Sequence, residues 1–144
     1  MSVPASPASS VLTIPSDLVE ARRVQTEIEQ ALHQVSAFSE REIFAIRLAV
    51  EEALVNAIKH GNQMDRAKKV RVHYRVTSGF FEVRVTDEGI GFDPDDVPDP
   101  TAVENLERPC GRGLMLMRYY MNEVSFSGSG NSVFMRKLRN GQKK

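Results

Sequence analysis

The sequence has little of several features that would narrow its class. It contains no tryptophan and one cysteine, Cys110. A single cysteine cannot form an internal disulfide framework, and it suits a reducing compartment. Its 19 Lys and Arg residues balance 19 Asp and Glu residues, so no overall charge favours nucleic acid or an anionic membrane. No apolar run approaches the roughly 20 residues of a membrane-spanning helix. Residues 1–10 lack the basic and apolar segments of a secretory signal. We therefore expect a soluble, cytoplasmic protein that binds neither nucleic acid nor membrane.

A length of 144 residues corresponds to one ordinary domain with a real hydrophobic core. We expect residues 1–10, which are rich in Ser, Ala and Pro, to be a disordered lead-in. The folded domain is expected to cover residues 11–139. The polar, basic segment 140–144 is then a frayed tail.

Two helices are predicted in the first half of the chain. Ser16 and Asp17 supply an N-cap, and apolar residues then recur at helical spacing to about Ala37. Ser39 and Glu42 form a capping-box pair ahead of a second helix over residues 40–60, with Gly61 as its C-terminal stop.

Short β-prone segments surround these helices. A first strand over residues 11–14, ended by a proline, is expected at a sheet edge. Alternating apolar residues predict an antiparallel hairpin over residues 70–76 and 81–85, and a second hairpin over 123–127 and 133–138. A short helix is expected over 114–121. This order predicts an α+β fold, a two-layer sandwich of a mostly antiparallel mixed sheet with helices on one face.

Polar residues interrupt the apolar second helix at regular spacing. Glu52, Asn56 and His60 are four residues apart in succession, so they lie along one stripe where a carboxylate, an amide and an imidazole could meet one ligand. Glu51 points about 100° away from Glu52 and is the weaker candidate. An ordinary solvated face is the alternative. His60 alone could simply complement the helix dipole in the last turn.

Two glycine-rich turns follow at a distance. Asp87-x-Gly89-x-Gly91 comes directly after a predicted strand, where the glycines permit close backbone approach. Gly111-x-Gly113-Leu114 opens a helix, where free amides and the dipole favour phosphate. Neither turn is a Walker loop or a dinucleotide fingerprint. A calcium loop over Asp93–Asp96 is disfavoured because it lacks the EF-hand alternation.

Taken in order, these motifs resemble a known superfamily. Glu52-x-x-x-Asn56 with His60-Gly61-Asn62, then the two glycine turns, is similar to the Bergerat ATP-binding fold shared by gyrase B, heat-shock chaperone ATPases, histidine kinases and mismatch-repair proteins. The match spans about residues 12–138. The small size, with no appended domain, resembles the anti-sigma-factor serine kinases of bacterial stress and sporulation control.

The resemblance implies roles for individual residues. Asn56 would ligate Mg²⁺ that bridges the ATP phosphates, Asp87 would accept from the adenine amino group, and Glu52 would be the general base. Around them, His60, Gly89, Gly91, Gly111, Arg112, Gly113 and Leu114 would complete the nucleotide site. The segment 93–112 would form the lid.

The sequence departs from the family pattern in its last glycine turn. A threonine is expected there, and the chain has Gly130-Asn131-Ser132, so Ser132 is the candidate hydroxyl on that side of the base. The cationic residues of segment 66–75 could suggest a nucleic-acid patch, but because the chain has no net charge a solvated, charge-protected edge is the favoured interpretation.

The favoured function is an ATP-dependent protein-serine kinase that binds a sigma factor and phosphorylates its anti-anti-sigma antagonist. Two alternatives are a nucleotide-gated binding module that transfers no phosphate and an orphan histidine-kinase-type catalytic domain. The resemblance is also compatible with a homodimer, with the first strand and first helix as its surface.

Overall fold

The computed structural model describes residues 8–89, 109–128 and 131–139. Its strands are β1 (Ala8–Pro15), β2 (Lys69–Val76), β3 (Phe80–Thr86), β4 (Glu123–Ser127) and β5 (Ser132–Leu138). Its helices are α1 (Leu18–Val35), α2 (Glu40–Val55), a wider π turn (Asn56–Gly61) and α3 (Pro109–Tyr120).

The sheet has five strands in the order β1-β2-β3-β5-β4, and all four neighbouring pairs are antiparallel. The predicted α+β sandwich is confirmed, as are both hairpins and the edge position of β1. Alternate residues of β2 and β3 are buried, including Val72, Val83 and Val85, because one sheet face packs against the helices.

Side-chain caps set where the first two helices begin. Asp17 accepts a hydrogen bond from the Val19 amide at 2.7 Å and starts α1. Ser39 and Glu42 form the predicted capping box, which satisfies backbone amides that have no partner within α2. Each helix then buries its apolar stripe, with Ile28, Leu32, Ile46, Val50 and Leu54 almost completely inaccessible.

The second helix differs from its predicted regular course to residue 60. After Val55 the chain widens into the π turn, and the Asn62 amide donates to the Ala57 carbonyl oxygen, five residues back, at 2.8 Å. Such turns occur often at functional sites. Local periodicity did not indicate this turn, which coincides with the tertiary contacts of Gly61 and Asn62 described below.

The last helix begins at Pro109, five residues earlier than predicted. Proline fits the first turn of a helix because the amide it lacks would have no partner there. The backbone of residues 109–112 is therefore helical, although these residues were expected to belong to the lid. The rest of the predicted lid, residues 93–108, lies outside the described residues, as do Gly91, residues 1–7 and residues 140–144. Residues 8–10, which were expected to belong to the disordered lead-in, are part of β1 because they pair with β2.

Candidate nucleotide-binding site

A cavity of about 380 Å³ opens between the π turn, the ends of β3 and β5, and α3. Its volume lies within the range of small-molecule sites, about 300–1,000 Å³. The apolar part of its lining comes from Ala53, Ala57, Val85, Leu114, Met117, Phe126 and Val133. The polar part comes from Asn56, His60, Gln63, Lys68, Asp87, Glu88 and Asn131, together with the backbone at Gly61 and Gly89.

Asp87 stands at the end of β3 with its position determined on three sides. Its amide donates to the Asn131 carbonyl oxygen at 2.9 Å, and the Asn131 side-chain amide donates back to the Asp87 carbonyl oxygen at 2.8 Å. Its carboxylate accepts from the Gly89 amide at 2.7 Å. A side chain on Gly61 would overlap this carboxyl, so glycine is required there for close approach.

Burial raises the pKa of the Asp87 carboxyl, while the Gly89 amide and the Lys68 charge oppose the rise. Since the folded-state pKa lies above the unfolded value, the ionised carboxylate disfavours folding above both values, and this penalty disappears as pH falls below the unfolded value. The fold thus retains a charge that costs stability, which is typical of functional sites.

We expect Asp87→Asn to unfold at a higher temperature than the wild type near pH 7.5, with the difference disappearing as pH falls toward about 4. Because the carboxyl is only half-buried, solvent screening keeps the effect below about 1 kcal/mol. Calorimetric unfolding without nucleotide measures it. Asp65→Asn, at an exposed carboxylate, is the matched control; a lower unfolding temperature for Asp87→Asn near pH 7.5 would contradict the argument.

Glu52 and Asn56 lie on the face of α2 and the π turn that α3 crosses. A methyl group on Gly113 would lie 2.6 Å from Asn56 Nδ2 and 3.1 Å from Glu52 Oε2, so α3 approaches both side chains through its glycine. Burial, and secondarily the neighbouring Glu51 charge, raises the pKa of the Glu52 carboxyl. A carboxylate with a raised pKa is a better proton acceptor when ionised.

The buried side chain of Asn62 forms hydrogen bonds that stabilise the backbone next to the cavity. Its side chain is fully buried and donates to Ser16 Oγ at 2.9 Å and to the Lys69 carbonyl oxygen at 3.0 Å. Its carbonyl oxygen accepts from the Glu88 amide, next to Asp87, at 2.8 Å. Asn62 therefore joins the π turn, the start of α1 and the end of β3.

The structure brings most of the predicted site residues together. Asn56, His60, Asp87, Gly89 and Leu114 line the cavity, and Glu52 adjoins it through Gly113. The backbone of Gly111 and Arg112 belongs to α3, and their surroundings lie outside the described part of the chain.

Ser132 is placed elsewhere. It pairs with Thr86 in the sheet register, and its hydroxyl forms a hydrogen bond with Thr86 Oγ1 at 2.9 Å. The same hydroxyl accepts a hydrogen bond from Arg84 Nη1 at 3.4 Å. These contacts lie on the face opposite the helices, whereas the next residue, Val133, lines the cavity. The offset of one residue reverses the face, because side chains alternate along a strand.

Sequence reasoning did not identify Lys68, Met117 or Asn131 as parts of the site. Lys68 was interpreted as a solvated charge, yet it lines the cavity and lowers the Asp87 pKa against the effect of burial. Met117 is both buried and part of the cavity wall. The glycine-rich turn before Asn131 was the one available signal, and it was assigned to Ser132.

Comparison with known proteins places this arrangement in a family. Residues 14–137 match the model of the histidine kinase-like ATPase domain. The chain belongs to this family. The match confirms the ATPase superfamily and the ATP-binding domain that the motifs indicated.

The chain is also similar in sequence to individual curated proteins. The chain is 35% identical over 102 residues to the anti-sigma F factor of Halalkalibacterium halodurans, covering 67% of this chain and 69% of that protein. It is 36% identical over 109 residues to the serine-protein kinase RsbW of Bacillus subtilis, covering 71% and 68%. These names agree with the predicted resemblance to anti-sigma-factor serine kinases.

A solved structure shares the fold. The RsbU and RsbW domains of a Mycobacterium tuberculosis protein superpose with a TM-score of 0.62 at 17% identity, covering 92% of this chain and 32% of that one.

Within the described segments, none of the helices has the length and apolar character needed to cross a membrane.

Proposed function

We propose that the chain is an ATP- and Mg²⁺-dependent protein-serine kinase that binds a sigma factor and phosphorylates its anti-anti-sigma antagonist in the cytoplasm. One observation carries the proposal: Asn56 and Asp87 come from distant parts of the sequence and line a single cavity, and Glu52 lies beside Asn56 where α3 crosses. Two relatives named for these activities, each matched over about two thirds of its length, support it.

The sheet side of the cavity fits an adenine base. Val85 and Val133 of the sheet, together with Met117 of α3, supply apolar walls of the kind that a flat aromatic ring contacts, and the Asp87 carboxylate supplies an acceptor for an exocyclic amine. Because Gly61, Gly89 and Asn131 restrict Asp87, the acceptor is held in place before any ligand binds.

The helix side fits the phosphates and their metal. Asn56 offers an amide oxygen, a hard donor, and the described residues contain no cluster of three or more His, Cys, Asp or Glu side chains that could hold a metal alone. A single protein ligand is suited to Mg²⁺, which prefers water and substrate phosphates for its remaining positions. When bound there, Mg²⁺ would neutralise charge on the phosphates.

Glu52 would accept the proton of the attacking serine hydroxyl. Its place beside Asn56 would put the base next to the phosphate end of the cavity, and its raised pKa moves it toward the working pH. His60 is exposed at the cavity rim, where it would contact the nucleotide or solvent.

A transfer assay tests this function. The protein is incubated with candidate antagonists, Mg²⁺ and ATP labelled at the γ position, and the product is analysed for phosphoamino acids. We expect phosphoserine on an antagonist. Tight ATP binding without transfer would instead support the nucleotide-gated binding module, and acid-labile phosphohistidine would support the histidine-kinase alternative.

We also infer that two copies pair through β1 and α1. β1 lies at the edge of the described sheet, and Val11 and Val19 are each 60% exposed. Unpaired strand edges readily accept another strand. Sedimentation of wild type and of Val11→Lys would measure this: a monomeric wild type contradicts it.

A further inference from the structure

The sheet face opposite the helices carries an ordered array of cationic and aromatic side chains, which we call the arginine face. Its cations are Lys69, Arg71, Arg75, Arg84 and Arg136, accompanied by His73, Phe80 and Phe134, and its carboxylates are Glu82 and Glu123. The chain as a whole has no net charge. This excess of positive charge is therefore a local property of one surface.

Aromatic rings hold the guanidinium groups in place. Arg75 and Arg136 lie 5.0 and 5.6 Å from the centre of the Phe80 ring. Arg84 and Arg136 lie 5.3 and 5.4 Å from the centre of the Phe134 ring. Such cation–π contacts restrict long side chains before a partner arrives, so less conformational entropy is lost on binding.

The carboxylates neutralise only one side of this face. Glu82 pairs with Arg75 at 3.4 Å and with Arg136 at 3.0 Å, and Arg136 also reaches Glu123 at 3.4 Å. Within the described residues, Arg71 and Arg84 form no ion pair, and Arg84 donates instead to Ser127 Oγ at 3.0 Å. His73 stands directly opposite Arg84 in the strand register.

A shallow hollow of about 220 Å³ lies where the ion-paired and the unpaired cations of this face meet. Its lining includes His73, Arg84 and Phe134, together with Arg75 and Glu82, which pair with each other. Guanidinium groups recognise carboxylates through paired, planar hydrogen bonds. Among the described residues, Arg84 is the guanidinium group of this hollow that has no carboxylate partner, so it can receive an acidic side chain of a protein partner.

We propose that the arginine face docks an acidic segment of a protein partner, with carboxylates seated against Arg84 and Arg71. Single-stranded nucleic acid fits less well, because both phenyl rings are already covered by guanidinium groups and cannot stack bases, and because Glu82 and Glu123 would repel phosphates. A second copy fits less well because a twofold contact sets this cationic surface against itself.

The arginine face lies on the other side of the sheet from the nucleotide cavity. The alternation of β3 separates them: Val85 lines the cavity, whereas Arg84 belongs to the arginine face. An acidic partner could therefore bind while nucleotide is present. The proposal does not depend on phosphoryl transfer, since docking would occur whether or not the chain is a kinase.

Binding of fluorescein-labelled poly-L-glutamate of about 20 residues tests the proposal. The double variant Arg71→Glu/Arg84→Glu should weaken binding at least about tenfold, which corresponds to about 1.4 kcal/mol. The matched control Arg22→Glu/Arg118→Glu makes the same charge change at exposed positions on α1 and α3 and should retain affinity within about twofold. Unchanged ATP affinity and thermal unfolding would show that both variants are folded.

Amide chemical shifts of the full chain provide a second measurement. Poly-L-glutamate should perturb the amides of β2, β3 and β5 and leave those of α1 and α2 unchanged. Equal loss of binding in the two double variants would overturn the proposal, since it would indicate non-specific attraction. So would preferential binding of a labelled oligothymidine to the arginine face, or a sedimentation change showing that Arg71→Glu/Arg84→Glu disrupts a homodimer.

Discussion

Replacing Asn56 by alanine is expected to abolish the Mg²⁺-dependent part of ATP binding. The substitution removes the amide oxygen that we propose as the Mg²⁺ ligand and leaves the apolar and Asp87 side of the cavity intact. We expect affinity measured with Mg²⁺ to fall by at least about 100-fold, since loss of a ligand should exceed the 10–100-fold cost of losing a supporting residue. Isothermal calorimetry of ATP with and without Mg²⁺ measures it.

Measuring ATP affinity with Mg²⁺ and in EDTA separates the contribution of the metal site from that of the adenine site. In EDTA, Asn56→Ala and wild type should bind ATP equally, because both then depend on the Asp87 side alone. Gln34→Ala, which deletes an exposed helical amide on α1, should behave like wild type in both conditions. If Asn56→Ala kept its Mg²⁺ response, the metal site would have been assigned to the wrong residue.

Replacing Glu52 by glutamine is expected to lower the rate of serine phosphorylation by about 10²–10⁴-fold, the usual contribution of a general base. Glutamine has nearly the same shape but cannot accept the proton, so ATP affinity should remain within about threefold of wild type. Single-turnover transfer to the antagonist, together with calorimetry, distinguishes the two effects. Equal labelling by both forms would remove Glu52 from the mechanism.

Glu51→Gln is the natural control for this experiment. Glu51 is the adjacent residue, is exposed, and points about 100° away around α2. Its charge contributes to the raised pKa of Glu52. Removing it should leave the rate near pH 7.5 almost unchanged and move the acidic limb of the pH–rate profile to lower pH, because the Glu52 carboxyl then ionises more readily.

The helices and hairpins were predictable because their signals are local. The capping box at Ser39 and Glu42 and the alternation along β2 appear within a few residues of sequence, and the structure confirms both. The beginning of α3 and the π turn after Val55 were not predicted. The π turn coincides with the contacts of Gly61 and Asn62 with residues 16, 69, 87 and 88, which no local pattern reveals.

The site was predictable to a similar extent. Asn56, Asp87 and Gly89 could be proposed because they belong to motifs with recognisable spacing. Lys68 and Asn131 belong to no such motif, and they reach the cavity only because β2 and β5 flank β3. Ser132 was proposed from its place in a glycine turn, but the face on which a strand residue lies depends on pairing register, and the Thr86 pairing places it opposite the cavity.

The amino-acid sequence by itself determined the fold class, because periodicity and capping are local, and the order of its motifs was enough to show a resemblance to the ATPase family. Only the tertiary structure decided which side chains share a surface. It buried the Asn62 side chain, and it brought Phe80 and Phe134 among arginines of three strands, where the sequence had suggested only a solvated cationic edge. The reason is that strand order and register bring together residues that are far apart in the chain, and neither can be inferred from any one segment.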